Sequence, residues 1–474
     1  MERLTGLDAS FLYFETPTMH MHVCATIIFD PSTVEGGYSF ERVREVIESR
    51  LHLVAPFRRK LAAVPLNLHH PVWVEDENFD LDFHLHRIGL PSPGTMEQLG
   101  EITGDIASRQ LDRSRPLWEM WIVEGLDNGN IALVAKMHHC TIDGVSGANL
   151  MVHLFDLDPN ETKPPGPAWK PEKSPTDLEL VGYGLMSRLR RPLNIFRVVP
   201  QTVQSVSSFI TTRRGREGPG MAAPFTAPRT LFNNAITAHR QVAYTRVALD
   251  DIKTVKNAFG TTVNDVVLAV TSGALRRYLE KHEEIPDKSL IATCPVSVRP
   301  AASEDAGGTE AKESVGSNQV SAMFTSLASD LENPVERLRA IAASTKGAKE
   351  EHNAIGADML QNWAEFAAPT TFSLAARAYS SLKLAERHPV VHNLVISNVP
   401  GPPIPLYFAG ARLTALYPLG PIFDGAALNV TVMSYMDNVD FGFIACRETV
   451  PSLWDLAGFI PEALAELVKE AAAV

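Results

Sequence analysis

Cysteine is scarce in this chain: Cys24, Cys140, Cys294 and Cys446 are the only four among 474 residues. None lies near another, so a CxxC metal or redox pair is excluded and a disulfide scaffold is not expected. Isolated buried thiols in a reducing compartment are the expected state. No apolar run approaches 18 residues, so no segment is expected to span a bilayer. The opening residues carry Glu2 and Asp8 and no continuous apolar stretch, so no secretory signal is expected there. A cytoplasmic location follows, with any membrane contact peripheral. Positive charge is also short. Lys and Arg number 43 against 55 Asp and Glu, a net charge of -12. That balance argues against nucleic acid, whose phosphates need a basic face. The chain has no HExxH and no clustered Cys and His for zinc, no GxSxG elbow, and no P-loop or dinucleotide fingerprint. No metal and no cofactor is therefore expected.

What is present is the balance of a globular protein, 45% hydrophobic and 21% charged, long enough for two or three domains. From residue 1 to 158, short apolar runs alternate with helical stretches. Val23 to Phe29 reads as a buried strand and Phe40 to Leu51 as a helix. Leu117 to Glu124 and Ile131 to Met137 read as strands joined through Asp127-Asn128-Gly129-Asn130, a hairpin signal because Asn-Gly tolerates positive φ. Gly144 to Leu157 has helical spacing. Residues 159–228 form a linker or crossover. Six prolines between Pro159 and Pro175 forbid a helix or central strand. Val181 to Arg216 then holds seven arginines and no acidic residue. The second half, 229–474, predicts a helix over Val263 to Glu280 capped by Thr261 or Thr262. A strand is expected at Leu290 to Val298, helices over Pro334 to Glu351 and Ala357 to Ala385, strands from Asn393 to Cys446, and a closing helix from Ser452. No short repeat is evident. Two α/β halves of similar size result.

The sharpest motif is His138-His139-Cys140-Thr141-Ile142-Asp143-Gly144, an HHxxxDG pattern where a strand ends and a helix begins. Chance would give it about once in 700 chains of this length. A strand end facing a helix start is where α/β proteins place functional groups. A His there can act as a general base near neutral pH. Asp143-Gly144 gives a tight turn whose carboxylate can pair with a distant Arg. Satisfied structural histidines on a turn are the plainer reading. Cys140 as a thiol nucleophile has no neighbour to depress its pKa. His69-His70 lacks the following Asp-Gly.

Six stretches together resemble the bacterial wax ester synthase/acyl-CoA:diacylglycerol acyltransferase family nearly end to end. They are Leu7 to Glu15 (LDASFLYFE) followed by His22-Val23; Pro116-Leu117-Trp118 with Glu124-Gly125-Leu126; and HHCTIDG. The others are Asn264 to Ala269 (NDVVLA), Ser397 to Pro402 (SNVPGP), and Gly420-Pro421 with Gly425 to Asn429. Where relatives often read PMHVG, this chain has His20-Met21-His22-Val23-Cys24, a change near an expected pocket edge that bears on substrate. Asp440-Phe441-Gly442-Phe443 is similar to the DFGWG motif of plant acyltransferases, although a strand with a Gly bulge explains it equally.

The resemblance implies an α/β fold of two subdomains like chloramphenicol acetyltransferase and condensation domains, forming a V with an interfacial tunnel. It implies His139 as general base, His138 and Asp143 as structural partners, and Gly144 at the turn. Arg299 is a candidate partner for Asp143. Acyl-CoA enters as substrate, not cofactor, and a lipid alcohol accepts the acyl group: diacylglycerol, or a long-chain alcohol to give wax esters. No acyl-enzyme is required. The oxyanion needs a donor, and Asn264, Asp265, Ser397 and Asn398 are the substrate or oxyanion candidates. Helix-start and turn chemistry are the alternatives for Asn264 and for the Ser397 segment. Pro116 and Trp118 read as packing residues. Val181 to Arg216 either lies on anionic lipid, at a membrane or lipid inclusion, or docks on the acidic body. Two rivals remain open: a carrier-protein-dependent condensation-type acyltransferase, and a non-catalytic lipid-binding protein.

Overall fold

The computed structural model describes residues 2–141, 151–160, 171, 173–182, 219–282, 285–297, 320–355 and 369–474. Asp143, Gly144, Arg299 and nearly all of the basic stretch 181–216 lie outside the described residues.

The first half runs β1 (Glu2–Arg3), α1 (Gly6–Phe14), β2 (His22–Asp30), α2 (Phe40–Arg50), β3 (Arg59–Ala62), β4 (Val72–Glu75), β5 (Leu85–Gly89), α3 (Met96–Ala107), β6 (Trp118–Glu124) and β7 (Ile131–His138). Next come β8 (Arg240–Ala248), α4 (Leu249–Phe259), α5 (Val263–His282), β9 (Ile291–Ser297), β10 (Val320–Ser326), α6 (Pro334–Ile355) and α7 (Pro369–Ser381). The order ends with β11 (Leu394–Val399), β12 (Tyr407–Phe408), β13 (Ala411–Leu419), β14 (Leu428–Tyr435), β15 (Asn438–Cys446) and α8 (Leu453–Ala471).

Local chemistry explains the strongest of these. Gly129 takes positive φ, Asn130 N–H donates to Asn128 Oδ1, and β6 pairs β7 antiparallel across that turn. Thr95 and Gln98 cap each other's backbone at the start of α3. The far end of α3 leaves carbonyls without helical donors. The buried Lys136 ammonium meets Ile106 O at 3.2 Å and Arg109 O at 3.1 Å, and His22 Nε2 lies 2.9 Å from Ala107 O. His20, Met21, His22 and Cys24 of the variant stretch are all buried, with Val23 partly so. Burial pushes the Cys24 thiol up to about 12.

Two six-stranded sheets dominate, in the orders β12-β13-β2-β7-β6-β5 and β10-β9-β11-β14-β15-β8, with a small β1-β4-β3 sheet beside them. Chain order and sheet membership part at one point: β12 and β13, from the 229–474 half, complete the first sheet. β13 pairs antiparallel with β2, from Arg412 opposite Asp30 to Leu419 opposite Cys24. It thereby covers an edge that would otherwise expose a row of unpaired backbone groups.

The DFGF segment explains how β13 is held. Phe441 and Phe443 point into the core, so Asp440 and Gly442 face the other way. The fully buried Asp440 carboxylate pairs with Arg246 at 2.5 and 3.0 Å and accepts from Leu416 N at 2.8 Å. Arg246 also donates to Thr414 O at 2.6 Å. One ion pair thus grips the crossing strand by its backbone. A Cβ on Gly442 would lie 2.1 Å from Pro418 O. The expected bulge is absent at Gly442, where pairing is continuous from Thr431 through Gly442 to Tyr244. Glycine is there for the approach of β13.

The largest core cluster joins Met21, Ile28, Leu99 and Val134 from the first half to Tyr244, Leu268, Phe441 and Leu464 from the second. Tyr244 OH reaches Thr26 and Thr103, each at 2.9 Å. Gly100 and Gly104 let α3 lie on the β8 edge, since a Cβ would come within 2.6 Å of Val242 O and 2.7 Å of Arg240 O. No single helix among the described residues is long and apolar enough to cross a membrane; the sharply bent pair α4–α5 passes that test only when joined.

Replacing Asp440 with Ala would leave the Arg246 charge unpaired and the Leu416 N–H without its acceptor. We expect a loss of about 3 kcal/mol in denaturant-melt stability. Gly442→Ala should cost a similar amount, about 2–4 kcal/mol, by wedging β13 away.

Candidate active site

β7 ends at His138, and the backbone there is tied on both flanks. His138 N donates to Leu117 O at 3.0 Å, and His139 N donates to Met21 O at 2.8 Å. The turn closes with Thr141 N and Oγ1 both reaching His138 O, at 2.9 and 2.7 Å. The segment Pro116-Leu117-Trp118 thus acts through a main-chain carbonyl. Trp118 is buried, stacks on Phe57 and His84, and donates Nε1–H to Phe57 O at 3.1 Å. It fixes the position from which Leu117 O supports the histidine.

The two rings then diverge. His138 is fully buried. Its Nδ1 accepts from Cys140 N at 3.1 Å, so its proton sits on Nε2 and points at Glu15 Oε2, 3.2 Å away. Arg113 closes the network, with Nε 3.1 Å from Glu15 Oε2, Nη2 on the same oxygen, and Nη2 2.9 Å from Leu12 O. Burial alone would raise the Glu15 carboxyl; the His138 hydrogen bond, the charge His138 gains on acidification and the Arg113 charge overcome it and hold the group at about 2. Burial lowers His138 against the opposing pull of Glu15. His138 is therefore a neutral, tautomer-locked support. His139 is only half-buried and lies flat against Phe11, ring centroids 4.1 Å apart and planes at 11°. The Cys140 thiol is fully buried and pushed far up by that burial, which removes it as a nucleophile.

The other candidates lie in the second half. Asn264 and Asn398 meet, Asn398 Nδ2 donating to Asn264 Oδ1 at 3.4 Å, where the carboxyl end of β11 faces the first turn of α5. Ser397 points to the opposite face of β11, in register with Thr431 of β14. Asp265 is removed as a substrate or oxyanion group. Its Oδ2 accepts from Thr262 N at 2.9 Å and Thr262 Oγ1 at 2.7 Å, and its Oδ1 from Thr345 Oγ1 at 2.6 Å. Thr262 is thus the cap of α5 and Asp265 its reciprocal partner. Among the described residues no group of three His, Cys, Asp or Glu is arranged to hold a metal ion.

Sequence reasoning missed the roles of Phe11, Glu15, Arg113 and Met21. All but Arg113 fall in or beside stretches already singled out by resemblance. What the linear pattern lacked was the contact itself, since Glu15 and His138 stand 123 residues apart.

Residues 4–267 match the family model described as the wax ester synthase/diacylglycerol acyltransferase catalytic domain, and residues 316–468 match its C-terminal domain. A Mycobacterium tuberculosis H37Rv protein provisionally named a diacylglycerol O-acyltransferase is 42% identical over 473 residues, covering 99% of this chain and 90% of its own. A second from the same strain, provisionally named likewise, is 35% identical over 450 residues, covering 95% and 92%. The solved wax ester synthase/diacylglycerol acyltransferase of Marinobacter aquaeolei VT8 superposes with a TM-score of 0.68 at 30% identity, over 99% of this chain and 100% of that one. The first condensation domain of the CDA synthetase shares the fold, with a TM-score of 0.54 at 13% identity over 100% of this chain and 96% of that one.

The Glu15 network sets a pH dependence. A carboxyl depressed to about 2 stabilises the fold above its unfolded value, and that stabilisation is lost as pH falls from about 5 toward 2. Glu15→Gln should be less stable than wild type at pH 7 and lose less on acidification. Urea midpoints measured between pH 7 and pH 3 check this.

Proposed function

The chain belongs to the wax ester synthase/diacylglycerol acyltransferase family, and we propose that it moves a long-chain acyl group from acyl-CoA to the free hydroxyl of diacylglycerol. The observation that supports this most is the pair of rings at the end of β7. One imidazole is buried, neutral and locked, while its neighbour is half-exposed on a backbone tied to the residues that precede β2 and β6.

In this reading His139 takes the acceptor's hydroxyl proton as the alcohol oxygen attacks the thioester carbon. The tetrahedral oxyanion collapses, the C–S bond breaks, and the imidazolium returns the proton to the CoA sulfur. Acyl group and proton both balance without a covalent enzyme intermediate. His138 keeps the strand end in place through its Glu15 bond. Positioned general-base assistance contributes roughly 10²–10⁴-fold, and holding both substrates together supplies further rate. The Asn264–Asn398 pair offers side-chain amide donors in the half opposite the histidines, and we assign it the carbonyl oxygen. Long-chain alcohol, giving a wax ester, is the second acceptor.

Purified protein supplied with palmitoyl-CoA should esterify diacylglycerol, with hexadecanol and water assayed in parallel. Transfer to neither lipid alcohol would overturn the reading and favour a carrier-bound donor or a lipid-binding role. His139→Ala should lower turnover by roughly 10²–10⁴-fold with the melting temperature retained. Undiminished turnover in that variant would remove His139 as the base.

A further inference from the structure

Helix α1 presents Phe11 to His139, and Glu15, the extended residue that ends the helix, reaches His138. The helix is a firm platform. Thr5 caps it by accepting from Asp8 N at 3.1 Å, and Ala9 and Leu12 are buried beneath it. Arg113 ties its last turn through Leu12 O and Glu15. Phe11 packs against two core clusters yet stays half-buried. One face of the ring lies flat on the His139 imidazole, centroids 4.1 Å apart and planes at 11°.

We propose that Phe11 is a positioning residue for the catalytic base, holding the His139 ring in one plane and stabilising the imidazolium through its π face. The proposal rests on His139 being the base. Proton abstraction turns a neutral ring into a cation, and an aromatic face attracts a cation more strongly than a neutral ring. The stack therefore contributes more as the proton arrives than before, which is the condition for lowering a barrier. It also limits rotation about the side-chain bonds, so the nitrogen that takes the proton keeps its aim. Among the described residues, the titratable groups around His138 and Cys140 are Asp8 of α1, Glu15 just after it, Arg113 after α3 and His22 of β2. Substitutions among Phe, Leu, Met and Trp at position 11 add or remove no charge, so opposite shifts of the base with Leu or Met and with Trp report the ring face.

Phe11→Leu and Phe11→Met remove the aromatic face while filling most of the space; Phe11→Trp strengthens the face. Each is assayed with palmitoyl-CoA and diacylglycerol from pH 5 to 9, with melting temperature recorded. Leu and Met should lower kcat about three- to tenfold, keep KM for acyl-CoA within about twofold, and move the acid limb of kcat/KM down by about half a pH unit. Trp should move that limb upward. The sign follows from the charge: losing the π face disfavours the imidazolium and lowers its pKa. Folded Leu and Met variants with unchanged kcat and acid limb would overturn the proposal, as would Leu, Met and Trp all shifting the limb the same way. His139→Ala, run alongside, separates the two readings. Full activity there sinks the base assignment, whereas an inactive His139→Ala beside an unaltered Phe11 series sinks only the role of Phe11.

Discussion

The exchange of strands between the two halves governs this architecture. β13 is made by the second half of the chain but hydrogen-bonds to β2 of the first, and the Arg246–Asp440 ion pair grips its backbone at Thr414 and Leu416. Only the Asp440 carboxylate is fully desolvated; burial raises it against the pull of Arg246, which stays partly exposed, and the Leu416 N–H and Thr414 carbonyl offset part of that cost. With the strand clamped, the two sheets cannot part without breaking a ladder, the Arg246–Asp440 ion pair and the common core together. The rings on β7 and the amide pair at β11 and α5 therefore sit on one continuous scaffold.

Support for the histidines comes from three separated pieces of sequence acting in different ways. Leu117 and Met21 contribute only carbonyl oxygens, so side-chain identity there serves packing while the main chain does the holding. Glu15 and Arg113 contribute charge, and their pairing keeps a carboxylate ionised where burial would otherwise protonate it. Phe11 contributes a flat surface. Carbonyl, carboxylate and ring together restrain each histidine at more than one point, the arrangement a proton-transfer group requires if its aim is to survive thermal motion.

Much of this was readable from the chain. Asn128-Gly129 announced the β6–β7 hairpin, Thr261 or Thr262 announced the start of α5, and HHCT was expected at the end of a strand, where it is. These are local signals, in which a backbone preference or a short spacing decides the outcome. The misses share a different character. Nothing in ARLTALYPL distinguishes a strand of its own half's sheet from one lent to the other, because alternating apolar residues suit either. Asp440 looked like motif chemistry and Gly442 like a bulge; their purpose appeared only once β13 lay over them. Asp265 looked like a polar group facing substrate, and a threonine on α6 turned out to share it. Resemblance named the stretch holding Phe11 and Glu15, but a role for either needed the fold to bring α1 to β7.

The exchange of β13 also sets a timetable for synthesis. Thr414 Oγ1 bonds to Ile28 O across 386 residues, so at roughly 5–20 residues per second the ribosome leaves β2 without its outer neighbour for roughly 20–80 s. Throughout that interval the nascent first half carries an open, apolar strand edge, the feature most prone to pairing with the wrong chain. Long-range closure of this kind is slow even after release. The yield of active protein is thus tied to how the cell shelters an unfinished sheet, and a burden on chaperones is written into the topology itself.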